Sequence, residues 1–230
     1  DSFSSGTSPF VPAEHGYEER HRIEFCVDLT LDTAALWQAM RKDQREKVRR
    51  LGREGVTLDA GSRPDDLGGL QLTREATRVR RTGRGQRYER SPEVLYEHLS
   101  EYLVKRGAGR LFVARLRGET IAAIFFVTFN GRACSIFSGS TEAGYRLGAQ
   151  SGLFWTAVET FKAEGFIELN RGGVPASAAE EGDALQGIYL FKLRLGATPR
   201  LCRSGEKVVS PVRHYLRGLT RGLGRLGVGA

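Results

Sequence analysis

Apolar residues are densest between positions 110 and 140, and there they follow the pattern of strands rather than helices. Residues 110–116, 120–129 and 132–140 are predicted to be three antiparallel strands. Arg117-Gly-Glu turns the chain after the first. Asn130-Gly131 turns it after the second, because both residue types tolerate the positive φ of a two-residue hairpin. Beyond Ser140 the period lengthens. Leu153, Ala157, Val158 and Phe161 recur at helical spacing within 152–164. Residues 166–170 then read as a strand, Arg171-Gly-Gly173 as a sharp stop, and 185–195 as a short helix. Residues 199–203 and 207–209 read as two closing strands.

The first third of the chain is less regular. Residues 1–16 are rich in Ser, Gly and Pro and read as a flexible segment. Residues 22–28 alternate as a strand. One helix is predicted from about Thr33 to Gly55, with Asp32 or Thr33 as its N-cap. Leu36, Met40, Val48 and Leu51 fall near one face of it, while Arg41, Lys42, Arg45, Lys47, Arg49, Arg50 and Arg53 crowd the rest. A short strand at 56–58 and a turn-rich boundary at 59–69 follow. Residues 70–106 read as helix, broken at the polar, Gly-containing stretch 80–87. The helix restarts with Ser91 as N-cap and Pro92 at its first position, burying Leu95, Leu99, Tyr102 and Leu103.

Three strands, then helix, strand, helix and closing strands make an α+β order around a mixed, mostly antiparallel sheet flanked by helices. That order is similar to the GNAT superfamily of acyl-CoA N-acyltransferases, a likeness of topology that does not settle chemistry.

Composition narrows the class. With 40% hydrophobic and 27% charged residues the chain has an ordinary globular balance. The longest apolar run, 121–127, has the length of a strand and not of a membrane span. No signal peptide is visible, and the chain opens on Asp1 without an initiator methionine, the pattern of a processed product or of part of a longer protein. Cys26, Cys134 and Cys202 are scattered, and His15, His21, His98 and His214 show no ligand spacing with them, so incidental thiols, a reducing compartment and no zinc are expected. The net charge of +8 is unevenly placed. Residues 1–40 carry −5, residues 41–90 carry +7, residues 91–196 balance, and the rest carries +6. Two basic blocks around a neutral core favour an anionic partner, although a solvated basic surface accounts for them equally well.

The sharpest motif is Gly187-Ile-Tyr-Leu-Phe-Lys-Leu-Arg-Leu-Gly196, preceded by Leu169-Asn-Arg-Gly-Gly173. Here the chain resembles the Fem family of peptidoglycan-bridge aminoacyltransferases and their FemAB-like, GNAT-like relatives. The stretch 28–56 resembles the basic helix of the same family. Where the family often has an acidic residue before the Gly pair, this chain has Asn170-Arg171. The stretch before Asp28 is too short for the first of the family's two GNAT-like domains. The resemblance implies a transferase domain over 25–212, with 25–60 a link to, or remnant of, that first domain, a flexible 1–24 and a basic tail at 213–230.

The resemblance places Phe191 and Lys192 at the catalytic site, where a positioned cation stabilises the oxyanion formed when an amine attacks an ester. Arg171, Gly172, Gly173, Gly187, Tyr189 and Arg146 are the expected substrate-binding residues. The plain alternative for Lys192 is the polar side of an amphipathic helix whose Ile188, Phe191 and Leu195 face the core. Stretch 145–152 carries Arg146 and Gly148 but misses the spacing of a coenzyme A pyrophosphate loop. No cofactor is therefore expected to be tightly bound, and the donor is aminoacyl-tRNA or, failing that, acyl-CoA. The acceptor would be the amine of a peptide or a lipid-linked precursor, and the location cytoplasmic or peripheral at the inner face of the membrane. Arg45, Arg49, Arg80, Arg81 and Arg84 are the expected contacts to an anionic donor. Other classes remain open: a non-catalytic RNA- or membrane-surface-binding module, with Leu216, Leu219, Leu223 and Leu226 of the tail as an apolar stripe on anionic membrane. A hydrolase built on Ser151 or on Glu180, Glu181 and Asp183 lacks a partnering histidine or a packed setting.

Overall fold

A computed structural model describes residues 12–60, 66–86, 88–213 and 215. The tail stripe and the opening residues 1–11 lie outside the described residues. Contacts divide the chain into a larger unit, Arg22–Cys202, and a smaller one made of residues before and after it. In the smaller unit, Arg20 pairs with Glu206 and Arg203 with Glu19.

The sheet has seven strands: β1 Glu18–Asp28, β2 Val56–Ala60, β3 Gly109–Leu116, β4 Glu119–Phe129, β5 Arg132–Ser140, β6 Glu168–Pro175 and β7 Thr198–Glu206. Their spatial order is β2-β3-β4-β5-β6-β1-β7. All recorded pairings are antiparallel except β5 with β6. Among the described residues seven α-helices accompany them: α1 Thr33–Ala39, α2 Lys42–Arg53, α3 Leu67–Thr82, α4 Glu93–Leu99, α5 Glu142–Leu147, α6 Ala149–Ala163 and α7 Gln186–Arg194. None of the described helices is long and apolar enough to cross a membrane.

Period-two alternation in β4 explains the layering. Ala122, Ile124 and Phe126 enter the core shared with α1, α2, α6 and the flank of α7. Ala123 and Phe125 enter a second core under α3 and α4, with Leu70, Tyr96 and Leu99. Both faces of this central strand are apolar because helices cover both. The two hairpin turns have positive φ at Arg117 and Gly118, and at Asn130 and Gly131. This backbone twist suits antiparallel strands, and it accounts for the second dipeptide directly.

Parallel β5 and β6 need a crossover, and α6 supplies it. They pair over Arg132–Cys134 and Glu168–Asn170, at the start of both strands, and each runs on to its own end beyond that pairing. Two bulges shape this region. Opposite β4, residue Ile136 of β5 is the extra one between Phe137 and Ser135. Opposite β1, the step from Glu24 to Cys26 spans Gly173 to Asn170, so β6 carries an extra residue at Arg171-Gly172. Gly172 takes φ +74° there, a conformation open to glycine at little cost.

Several local expectations need correction. The helix expected over 33–55 is two, because Met40 is extended and Arg45 Nη1 donates to the carbonyls of Met40 (2.9 Å) and Gln38 (3.0 Å) at the end of α1. Asp32, not Thr33, is its cap, accepting from Ala35 N at 2.8 Å. Helix α4 starts at Glu93 with Pro92 as N-cap, and Ser91 Oγ instead accepts from Arg74 Nη2 at 2.6 Å. Arg171-Gly-Gly173 does not stop β6 but bulges it. The closing hairpin is one strand, β7, and 207–209 form none. The β6 bulge depends on a strand distant in sequence, whereas the helix break and its cap are made by residues within seven positions, through side-chain geometry that local periodicity does not carry.

Helix α3 packs on β5 backbone to backbone: a Cβ added at Gly139 would lie 2.4 Å from Arg74 N and Thr73 C. Gly139→Ala is expected to lower unfolding free energy by about 1–3 kcal/mol. Gly52→Ala in α2, with nothing within 4 Å, is expected to be neutral or stabilising by up to about 1 kcal/mol. Denaturant unfolding of the two variants measures both.

Candidate functional site

The bulge of β6 presents its carbonyls to α7. Lys192 Nζ donates to Gly172 O at 2.7 Å and to Gly173 O at 3.3 Å. Its ammonium also lies 5.4 Å from the centroid of Phe25, against whose ring Tyr189 packs edge-on at 5.4 Å. The Gly pair is needed for the close approach. A Cβ on Gly172 would stand 3.0 Å from Ser135 O, and one on Gly173 would stand 2.9 Å from Arg22 Nε and 3.0 Å from Ile23 O.

Between β5 and β6, beyond their pairing, sits Arg171. It is only 6% exposed. Its Nη1 donates to Ser135 Oγ (3.3 Å) and its Nη2 to Gln150 Oε1 of α6 (3.2 Å), while the guanidinium lies over Phe154. Gln150 is itself anchored to Gly139 O and Ala123 O. The described partners of Arg171 are thus neutral, and burial pushes its guanidinium down to about 10. Its Nε has no hydrogen-bond partner among the described residues. Nearby, Glu24 is 2% exposed and pairs through Oε1 with Arg22 Nη2 at 2.6 Å.

Burial, reinforced by the charges of Arg171 and Arg22 and opposed by Glu24, pushes the Lys192 amine from its ordinary 10.5 down to about 7. Three cations therefore share a half-buried region with one buried carboxylate. An amine with that proton affinity carries a proton in one step and lacks it in the next near neutral pH, which suits acid–base work. Cys26 is no nucleophile, since burial first and Glu168 second push its thiol up to about 12.

Of the residues named from the sequence, Lys192, Arg171, Gly172, Gly173 and Tyr189 come together here. Phe191 turns toward the main core. Gly187 is exposed in the first turn of α7 with nothing near it. Arg146 is exposed on α5, and its carbonyl accepts from Arg50 Nη2 at 3.1 Å. Arg22, Glu24, Ser135 and Gln150 were missed, and Asn170 was noted only as a departure from the family pattern. The alternation in Arg22-Ile-Glu-Phe did show that Arg22 and Glu24 share a strand face, but not that Glu24 is buried on it while Arg22 stays exposed.

A second basic group surrounds α5. Arg80 donates to Ser140 O at 3.0 Å and lies 4.7 Å from the centroid of Tyr145, with Arg84 5.7 Å from the same ring. Tyr145 is 54% exposed. Arg81 bonds Gln86 and stacks on Tyr88, whereas Arg45 and Arg49 are engaged within α1–α2, Arg49 with Glu46 and over Trp37. A pocket on the α3–α4 side, lined by Arg74, Arg78 and Arg90, also contains Glu75 and Glu89, so its charge is largely offset.

One mixed sheet that opens between two parallel strands and is flanked by helices is the fold of the GNAT class. A family model described as an acetyltransferase (GNAT) domain matches residues 38–181, and the chain belongs to that family. Among solved structures it is similar to FemX, with TM-score 0.67, 11% identity, and coverage of 84% of this chain and 63% of that one. It is also similar to L-PGS from Bacillus licheniformis, with TM-score 0.60, 16% identity, and coverage of 93% and 69%. A third is the C-terminal domain of a lysylphosphatidylglycerol synthetase, as that protein is described, from Agrobacterium fabrum, with TM-score 0.60, 19% identity, and coverage of 87% and 66%. At these identities the likeness is one of fold. No curated protein sequence matches the chain. The chain spans about two thirds of the length of these three solved structures.

The depressed proton affinity of Lys192 has a thermodynamic consequence. Between about 7 and 10.5 the unfolded chain holds this proton and the folded chain does not. This group's contribution to stability therefore rises with pH across that window. Lys192→Met is expected to remove the rise and to gain most in stability below pH 7, where the folded wild type carries a buried ammonium. Urea unfolding of both proteins at several pH values checks this.

Proposed function

We propose that the chain joins an aminoacyl group from aminoacyl-tRNA to the amine of a peptide or a lipid-linked precursor. The observation that carries the chemistry is Lys192, a largely buried amine on the carbonyls of the β6 bulge with a proton affinity near neutrality. In its neutral form Lys192 accepts the proton of the attacking amine as the new C–N bond forms. The resulting ammonium then stands beside the oxyanion of the tetrahedral intermediate. When the intermediate collapses, the C–O bond to the ribose breaks and the same proton passes to the leaving oxygen. The products are an amide and a free hydroxyl, and the lysine returns to its neutral form.

The aminoacyl-tRNA reading is supported by the resemblance of 187–196 to the Fem motif, by the similarity to FemX, and by the Arg80–Tyr145–Arg84 group. Guanidinium and an exposed ring side by side suit a phosphate backbone and an unstacked base. Such a donor would put the reaction in the cytoplasm. The family description favours a second reading, an acyl-CoA donor and an N-acetyl product. The same lysine chemistry would then release a thiol. Against it, the stretch before α6 folds into α5, and Gly148 (φ +74°) packs on the Lys47 side chain.

Incubation with charged tRNA and, separately, with acetyl-CoA, each with candidate amines, distinguishes the two. Amide product from acetyl-CoA alone overturns the first reading, and product from neither overturns both. With the active donor, Lys192→Ala is expected to lower kcat by about 10²-fold or more, and activity near wild type would exclude the assigned role. Donor affinity is expected to fall steeply with salt, and Arg80→Gln with Arg84→Gln to reduce the slope of log K against log salt by about one per charge removed. Filter binding across a salt series measures the slope, and an unchanged slope excludes this surface.

A further inference from the structure

Glu24 is a long way from Lys192 in sequence and on another element, yet hydrogen bonds connect them step by step. Glu24 Oε1 holds Arg22 Nη2 at 2.6 Å. Glu24 Oε2 accepts from Asn170 Nδ2 at 2.5 Å. Asn170 Oδ1 accepts from the backbone N–H of Gly172 at 2.8 Å, and Gly172 O accepts from Lys192 Nζ at 2.7 Å. Both polar side chains in the middle of this chain are 2% exposed. Burying a carboxylate and an amide so completely is costly unless each is hydrogen-bonded, and here the bonds lead to one residue of the bulge, Gly172, whose N–H is held by Asn170 and whose carbonyl holds the reacting amine.

We propose that Glu24 is a positioning residue for Lys192, acting through Asn170 and the backbone of Gly172. Its carboxylate fixes the Asn170 amide so that the carbonyl oxygen, not the NH₂, faces Gly172 N–H. That fixes the bulge, and the bulge aims Gly172 O at Lys192 Nζ. The carboxylate also acts on the amine through its charge. The groups facing Lys192 are Arg22, Glu24 and the Phe25 ring from β1, Arg171 and the two glycine carbonyls from β6, and Cys134 from β5. Arg171 and Arg22 favour the neutral amine, and Glu24 favours the ammonium. Glu24 thus keeps the protonated form, needed beside the oxyanion, within reach at neutral pH.

This assignment rests on Lys192 being the reacting amine, so its test is read without donor or acceptor. The full chain is reductively methylated with ¹³C-formaldehyde, and the Lys192 resonance, assigned by its loss in Lys192→Met, is titrated by NMR. Glu24→Gln is expected to lower the Lys192 midpoint by about one unit or more, the scale of losing a nearby opposite charge. Adding Asn170→Asp to Glu24→Gln returns a carboxylate to the same place from the neighbouring strand and is expected to bring the midpoint back toward wild type. Should Glu24→Gln fail to fold, Glu24→Asp, which keeps the charge but withdraws it from Asn170, is expected to give a smaller drop. A wild-type midpoint in folded Glu24→Gln or Glu24→Asp, or a double variant no closer to wild type than Glu24→Gln, overturns the proposal. A midpoint that moves as expected in a protein with no transferase activity would leave Glu24 in place and remove only the functional reading.

Discussion

The hydrogen bond from Lys192 to Gly172 O depends on one backbone irregularity, the extra residue that β6 carries opposite β1. In a regular strand that carbonyl would be committed to a neighbour in the ladder. The bulge releases it, and the αL conformation of Gly172 turns it toward α7. The same displacement lets Asn170 reach Gly172 N–H with its side chain and puts Arg171 into the opening between β5 and β6. The two adjacent glycines and the placement of the amine follow from one constraint.

That constraint also explains the electrostatics. Arg171 enters the opening without an acidic partner among its described contacts, held by Ser135, Gln150 and the face of Phe154. A guanidinium stays charged even when buried, because its ordinary proton affinity is so high. A lysine beside it does not, and Lys192 loses its hold on the proton to burial first and to Arg171 next. Permanent and switchable charges are thus assigned to different residues. Glu24, reaching in from β1, is the carboxylate that keeps the switchable one from being neutral throughout the working range.

The surface basic groups play a different part. Arg45 holds the end of α1, and Arg49 lies over Trp37 and pairs with Glu46, so the basic face of α2 is in good part structural. Arg80 and Arg84 instead meet at a tyrosine that is more than half exposed. The basic block at 41–90 therefore differs within itself, and a net charge by segment could not tell an arginine that holds a helix end from one that lies beside an exposed ring.

The sequence by itself determined the three-strand meander, both of its turns, the crossover helix and the motif containing Lys192. These are local. Alternation in 110–140, helical spacing of Leu153, Ala157, Val158 and Phe161, and the φ tolerance of Asn130-Gly131 need no distant partner. It also pointed to Arg171 and the Gly pair, although it read them as an end rather than as a bulge. Tertiary structure decided the rest. Whether Arg171-Gly-Gly173 stops or bulges a strand depends on β1, about 150 residues earlier in the chain, being its neighbour. The break between α1 and α2 is held from a distance as well, by Arg41 N–H donating to Arg194 O of α7 at 2.9 Å. That Glu24 and Asn170 are buried together, and that the Lys192 amine is pushed down to about 7, follows from desolvation and from charges on other strands. Those quantities exist only once the chain is folded, because they are sums over neighbours that the sequence does not place side by side.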